Sequence, residues 1–314
     1  MHKRKLRALL LSLGLATVVG SLALSQEKKA GVLDYDISVR AISLAVTVQE
    51  RGGKYINDLT RSDFTIFENG VKQAITYFKH DFDAPLSLTI LLDVSGSMAI
   101  QDKLAESKAA LRDFLTGLIG PKDEVSLLIF ADGEVEVAAQ FTSDRSSILA
   151  VLDKTEPFGK TALNDAVAVS PEFASKGRNE KRALLLLTDG IENDSRISAT
   201  QALEVARRVD VPIYTVGYNI PLGEQYLEKY RRASTLTSAG IIETLDRFSQ
   251  ATGGRAFFVN RPEELRAALF EIKQELSHQY IIGYTSYISS SGEYRGIRVA
   301  TSKKRCRVRA RQGY

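Results

Sequence analysis

The chain has 314 residues, 44% apolar and 8% aromatic, which is enough to bury one large core or one medium core and one small one, and this excludes disorder as a global description. The formal net charge of +4 is owed to Lys3, Arg4, Lys5 and Arg7, since removing those four from the 42 basic residues leaves 38 against 38 acidic ones. That balance gives no electrostatic footprint for nucleic acid, which needs a surplus of Lys and Arg on one face.

The basic cluster is followed by an apolar run from Ala8 to Leu24 and by Ala23-Leu24-Ser25 ahead of Gln26. Charged, apolar and small-residue regions in this order predict a secretory signal peptide over residues 1–25, hence export to the periplasm, the cell envelope or the outside. The alternative is an uncleaved anchor, the one route to membrane contact. Ser12, Gly14, Thr17, Gly20 and Ser21 dilute the run and favour cleavage. Cys306 is the only cysteine, so no intrachain disulfide can form, and the leader lacks the cysteine that bacterial lipoproteins acylate.

Residues 30–84 read as a small β module. Ile42-Leu44-Val46-Val48 alternates apolar and polar positions, Gly52-Gly53 breaks the run, and Phe64-Ile66-Phe67 leads into Glu68-Asn69-Gly70. An Asn-Gly pair after an alternating run predicts a tight hairpin, because both turn residues must take positive φ.

From residue 85 to 276 short apolar runs alternate with amphipathic stretches. The runs Leu86–Leu92, Val125–Phe130, Ala183–Thr188 and Val211–Val216 predict strands buried on both faces. Leu104, Leu111, Leu115 and Leu118 recur at helical spacing over Asp102–Ile119, and further helices fit Arg145–Leu152, Leu163–Ser175, Ala199–Val209, Ile241–Ala251 and Pro262–Leu276. Such alternation predicts an α/β fold: a doubly wound, mostly parallel sheet with helices on both faces. Val135–Phe141 is expected as an antiparallel edge strand. Residues 277–314 return to strands at Tyr280–Tyr284, Tyr294–Ala300 and Cys306–Arg309, with a turn at Ser289–Gly292, and are expected to pack with the N-terminal module.

Chemistry concentrates at the ends of the buried runs. Asp93-Val94-Ser95-Gly96-Ser97 closes the first of them, where ligands of open α/β sheets sit. Oxygen-bearing side chains at alternate positions converge if the loop curls, and hydroxyl and carboxylate oxygens suit a hard cation: Mg²⁺, with Mn²⁺ or Ca²⁺ as alternatives. Gly159-Lys160-Thr161 precedes a helix and offers the Thr161 hydroxyl; Leu187-Thr188-Asp189-Gly190 ends another run and offers the Asp189 carboxylate.

These residues resemble, in order and spacing, the metal-ion-dependent adhesion site of the von Willebrand factor A family, over roughly residues 86–276. The segment Pro85–Met98 and the closing Val308–Tyr314 also look like those of exported bacterial A-domain proteins. The resemblance implies the Rossmann-like A fold, with Ser95, Ser97 and Thr161 as direct ligands and Asp93 and Asp189 acting through water or as switching ligands. A cation held mainly by neutral hydroxyls keeps an open position that an Asp or Glu of a protein partner can fill. Gly159, Lys160 and Glu192 are read as the partner-binding rim.

Competing readings are weaker. Lys154 stands where a P-loop needs glycine before Gly159-Lys160-Thr161, so no nucleotide is expected. The only histidines, His2, His80 and His278, lie outside the A-like core, so a Ser-His-Asp hydrolase has no base and a metal-only hydrolase no apparent one; the protein is expected not to be an enzyme. Asp189, Glu192 and Asp194 lack the glycine position of a calcium loop. Lys303-Lys304-Arg305, Arg307, Arg309 and Arg311 fit a strand with one charged face that blunts a sheet edge. The function expected is thus an exported adhesion or scaffolding module, and the alternative is an envelope-complex component in which the metal only stabilises the fold.

Overall fold

The computed structural model describes residues 38–220, 237–288 and 293–314. The leader and the Ser289–Gly292 turn expected above lie outside the described residues. These described residues form one compact unit.

Three sheets organise it. The six-stranded sheet contains β5 (Leu86–Asp93), β6 (Glu124–Ala131), β7 (Glu134–Thr142), β8 (Lys181–Thr188), β9 (Ile213–Tyr218) and β10 (Ala256–Val259), in the order β10-β9-β8-β5-β6-β7. All its neighbours are parallel except β6 and β7, so β7 is the antiparallel edge expected from the sequence. Side chains alternate across such a sheet. Leu88, Ile90 and Leu92 therefore meet α1 (Lys103–Gly117), α2 (Arg145–Lys154) and α6 (Pro262–Ser277) on one face. Leu91 and its neighbours meet α3 (Leu163–Ala174), α4 (Ala199–Ala206) and α5 (Ser238–Thr252) on the other. The fold is the doubly wound α/β arrangement.

Residues from both flanks build the remaining sheets. One has the order β13-β1-β11-β4, with β1 (Ser38–Glu50), β4 (Ile75–His80), β11 (Tyr280–Ile288) and β13 (Cys306–Arg309); the other has the order β12-β2-β3, with β2 (Phe64–Glu68), β3 (Val71–Gln73) and β12 (Ile297–Thr301). The two share a core in which Leu44 and Val46 of β1 and Ile66 of β2 join Tyr280 and Tyr284 of β11. Asn69 and Gly70 both take positive φ between β2 and β3, as a two-residue hairpin requires.

Several boundaries differ from the sequence reading: the helix expected over Ala199–Val209 ends at Ala206, the one expected over Ile241–Ala251 runs from Ser238 to Thr252, and the strand expected over Tyr280–Tyr284 continues to Ile288. Two other differences have a plain physical reason. The run expected from Val211 becomes strand only at Ile213, because Pro212 has no N–H to give a ladder and offers only its carbonyl, to Leu184 N. The strand expected from Tyr294 starts at Ile297, because Arg295 N and O are taken by the terminal Tyr314.

Candidate functional site

Strands β5 and β8 are adjacent and parallel, so Asp93 and Asp189 arrive at the same edge of the sheet. Past β5 the loop curls back on itself: Ser95 N donates to Asp93 Oδ1 at 2.9 Å, and the Ser95 and Ser97 hydroxyls lie 3.0 Å apart. The loop before α3 is tied to this one, since Gly96 N donates to Gly159 O at 3.0 Å and Phe158 N to Val94 O at 2.8 Å. The loop after β8 is tied to both. Thr188 Oγ1 donates to Asp93 Oδ2 at 2.6 Å, and Thr161 N donates to Asn193 Oδ1 at 2.9 Å. Each pair of the three loops is thereby joined by a hydrogen bond. Thr161 is buried, and among the described residues its hydroxyl is committed to no partner.

The electrostatics are unusual for a turn cluster. Asp93 and Asp189 are both fully buried, and burial first, then the neighbouring Asp189, pushes the Asp93 carboxyl up to about 7. The Lys103 ammonium, 3% exposed, donates to Asp189 Oδ2 at 2.5 Å. Two buried carboxylates are thus offset by one buried ammonium. Among the described residues no three His, Cys, Asp or Glu side chains cluster so as to hold an ion by themselves, so any coordination sphere here must draw on hydroxyls. Ser95, Ser97 and Thr161 have the hard-oxygen chemistry for that.

The exposed rim beside these residues is Phe158, Gly159 and Lys160. Lys160 Nζ is held by Asp194 at 2.9 Å. Glu192 turns inward to its own loop and the start of α3, accepting from Asn164 N at 3.0 Å, Ser195 Oγ at 2.6 Å and Ser195 N at 2.8 Å. Gly159 has φ +65°, and a Cβ there would sit 2.2 Å from the Asp132 carboxyl group, which is itself fixed by Lys160 N. Gly159→Ala is expected to cost about 1–2 kcal/mol from the left-handed backbone and to displace Asp132. Thermal unfolding of the variant checks this, and an unchanged Tm would contradict it.

Sequence reasoning missed Lys103 and Thr188. Thr188 was within reach, as the residue adjoining Asp189 at the strand end. Lys103 was not, because nothing in local spacing signals a contact with a residue 86 positions away.

A cleft of about 530 Å³ lies elsewhere, between β10 and the C-terminal segment, and is lined by Arg255, Arg298, Arg307, Arg309 and Arg311 with Asp246. Three of its guanidinium groups are already paired, Arg255 with Glu271, Arg309 with Glu275 and Arg311 with Asp210. The Arg309 and Arg311 pairs fasten the C-terminal segment to the α/β layer, a structural use of the basic tail besides the edge-blunting expected from the sequence.

A doubly wound sheet with three cross-tied loops at the carboxyl ends of its strands defines an α/β domain of the Rossmann-like kind. Residues 88–192 match the model of the von Willebrand factor type A domain. It is 25% identical over 214 residues to a UPF0353 protein of Mycolicibacterium paratuberculosis, a match covering 63% of this chain and 62% of that protein's length. Among solved structures it resembles proximal thread matrix protein 1 from the mussel byssus with a zinc-occupied MIDAS motif, at a TM-score of 0.50 and 17% identity over 67% of this chain and 50% of that one. It also resembles the pilus adhesin SpaC of Lactobacillus rhamnosus GG, at a TM-score of 0.50 and 12% identity over 77% of this chain and 34% of that one. At these identities the likeness establishes fold.

Proposed function

We propose that this protein is an exported, non-enzymatic binding module that holds one divalent cation among Asp93, Ser95, Ser97, Thr161 and Asp189 and uses it to grip an Asp or Glu of a protein partner. In this reading residues 1–25 are a cleaved leader, 85–276 are the binding domain, and 30–84 with 277–314 form its β support. The observation that carries the reading is the mutual tying of three loops around two fully buried carboxylates and a close pair of serine hydroxyls. Burying two carboxylates together is unfavourable unless positive charge compensates them. A bound Mg²⁺, with Mn²⁺ or Ca²⁺ as alternatives, supplies that charge and an open coordination position.

The chain's own residues do the rest. The β5 and β8 strand ends fix the carboxylates, Thr188 holds Asp93 in one rotamer, and the Gly96–Gly159 contact sets the spacing of two loops. Phe158, Gly159 and Lys160 meet the partner at the rim. Location at the cell envelope rests on the leader, and the adhesin and matrix proteins of similar fold make a surface role consistent.

The test is capture of envelope proteins by the purified chain in Mg²⁺ against EDTA, alongside Mn²⁺ binding by calorimetry. Ser97→Ala is expected to weaken Mn²⁺ by about tenfold or more and to match EDTA in abolishing capture. Capture that survives EDTA while the fold loosens would instead support the envelope-component reading. Turnover of a phosphoester or peptide by the pure protein would overturn both.

A further inference from the structure

Resting on the reading of this site as a cation site, we propose that Lys103 is a built-in counter-charge that weakens the hold on the metal and strengthens the hold on a partner's carboxylate. The buried Lys103–Asp189 pair places an ammonium inside the ligand cluster, 2.5 Å from an oxygen that the cation would otherwise have to itself.

The position of Lys103 argues against a purely structural role. It is the first residue of α1, where aligned peptide dipoles already place partial positive charge, so an ammonium there is disfavoured by its own helix. It is preceded by Gln101 and Asp102, two consecutive non-glycine residues in the left-handed region, with φ of 56° and 54°. Strained backbone and a misplaced charge at one point of a site are what remain when function overrides local preference. The feature served is the Asp189 contact.

Charge counting gives the consequence. Asp93 and Asp189 alone would neutralise a divalent ion, leaving little field for a visitor. With Lys103 in place the loaded cluster retains one positive charge, and an incoming carboxylate brings it to neutrality. In a buried setting a single uncompensated charge acts strongly on a carboxylate that reaches the rim. The same ammonium repels the cation and occupies part of Asp189, so metal affinity and carboxylate affinity are set against each other. Lys103 is a positioning residue of this kind: it touches neither the partner nor, in this arrangement, the ion.

The experiment uses the whole chain with Mn²⁺ as metal and acetate as the simplest carboxylate. Mn²⁺ affinity is read by calorimetry, and acetate binding by paramagnetic broadening of its methyl protons in Mn²⁺-loaded protein. Lys103→Met removes the charge at similar length; Lys103→Gln removes it while keeping a donor toward Asp189, and serves if the first variant does not fold. Relative to wild type, the variant is expected to bind Mn²⁺ about tenfold more tightly and acetate about tenfold more weakly. If wild type binds Mn²⁺ but both affinities are unchanged in the variants, or move in the same direction, this proposal falls and the cation site stands. Failure of wild type to take up Mn²⁺ at all would overturn the cation site, and this proposal with it.

Discussion

Glu68→Leu is expected to lower the stability of the fold by about 3–5 kcal/mol, because it strips the acceptor from a buried charged network and leaves its donors unpaired. Glu68 is the last residue of β2 and is 2% exposed. One of its oxygens, Oε1, accepts from Arg295 at 2.5 Å, from Tyr314 Oη at 2.6 Å and from Ser286 Oγ at 2.8 Å. Those donors come from the approach to β12, the chain terminus and β11, so a single carboxylate joins both flanking sheets to the C-terminal end. Burial by itself would push its pKa up, but the bonds from Tyr314, Arg295 and Ser286 outweigh that and hold it below the usual range. A depressed folded pKa means that the contribution is present above the unfolded value and is lost as pH falls through the folded one. The deficit of Glu68→Leu should therefore be full at pH 7 and shrink in acid. Urea unfolding at pH 7 should show a lower midpoint at constant slope, with Glu68→Gln losing less because it keeps an acceptor. A loss below about 1 kcal/mol for the leucine variant would refute the role given to this network.

What could be read from the sequence and what could not divide along the range of the interactions. The buried strands were legible because Leu86–Leu92 and Ala183–Thr188 have no polar face to give to solvent, and the hairpin because Asn69-Gly70 carries its own backbone requirement. The D-x-S-x-S residues were legible because spacing on one loop is a local property. Glu68 was not: beside a turn it reads as an exposed polar residue, and its burial depends on Tyr314, 246 positions away. The pairing of Arg309 with Glu275 and of Arg311 with Asp210 was hidden for a related reason, since alternating charge on a strand says nothing of which carboxylates face it. Within the candidate site, sequence could nominate Asp93, Ser95, Ser97, Thr161 and Asp189 but not the Lys103 ammonium among them. That contact is made by two elements whose approach is decided only when the helix packs on the sheet.

The second large effect is expected at Asp93, where replacing a carboxylate should stabilise the metal-free protein. In EDTA, Asp93→Asn is expected to gain on wild type as pH rises, by about 2–4 kcal/mol between pH 4 and pH 8. The sign follows from the raised pKa. Because the folded state pushes Asp93 from 3.8 up to about 7, through burial and then the Asp189 charge, the folded protein binds a proton more tightly than the unfolded one throughout that window. Wild-type stability attributable to this group is therefore present in acid and declines as pH climbs toward 7, above which the loss is complete. Asparagine carries no proton to lose, and its carbonyl can still accept from Ser95 N as Asp93 Oδ1 does. Saturating Mg²⁺ should reverse the ranking at pH 8, since a ligand that binds only the folded state stabilises wild type by mass action and the variant less. Melting temperatures of both proteins across pH, with EDTA and with Mg²⁺, give four curves. Parallel wild-type and variant curves in EDTA would show that the two carboxylates do not strain each other, and the compensating charge would then have to be supplied wholly by Lys103.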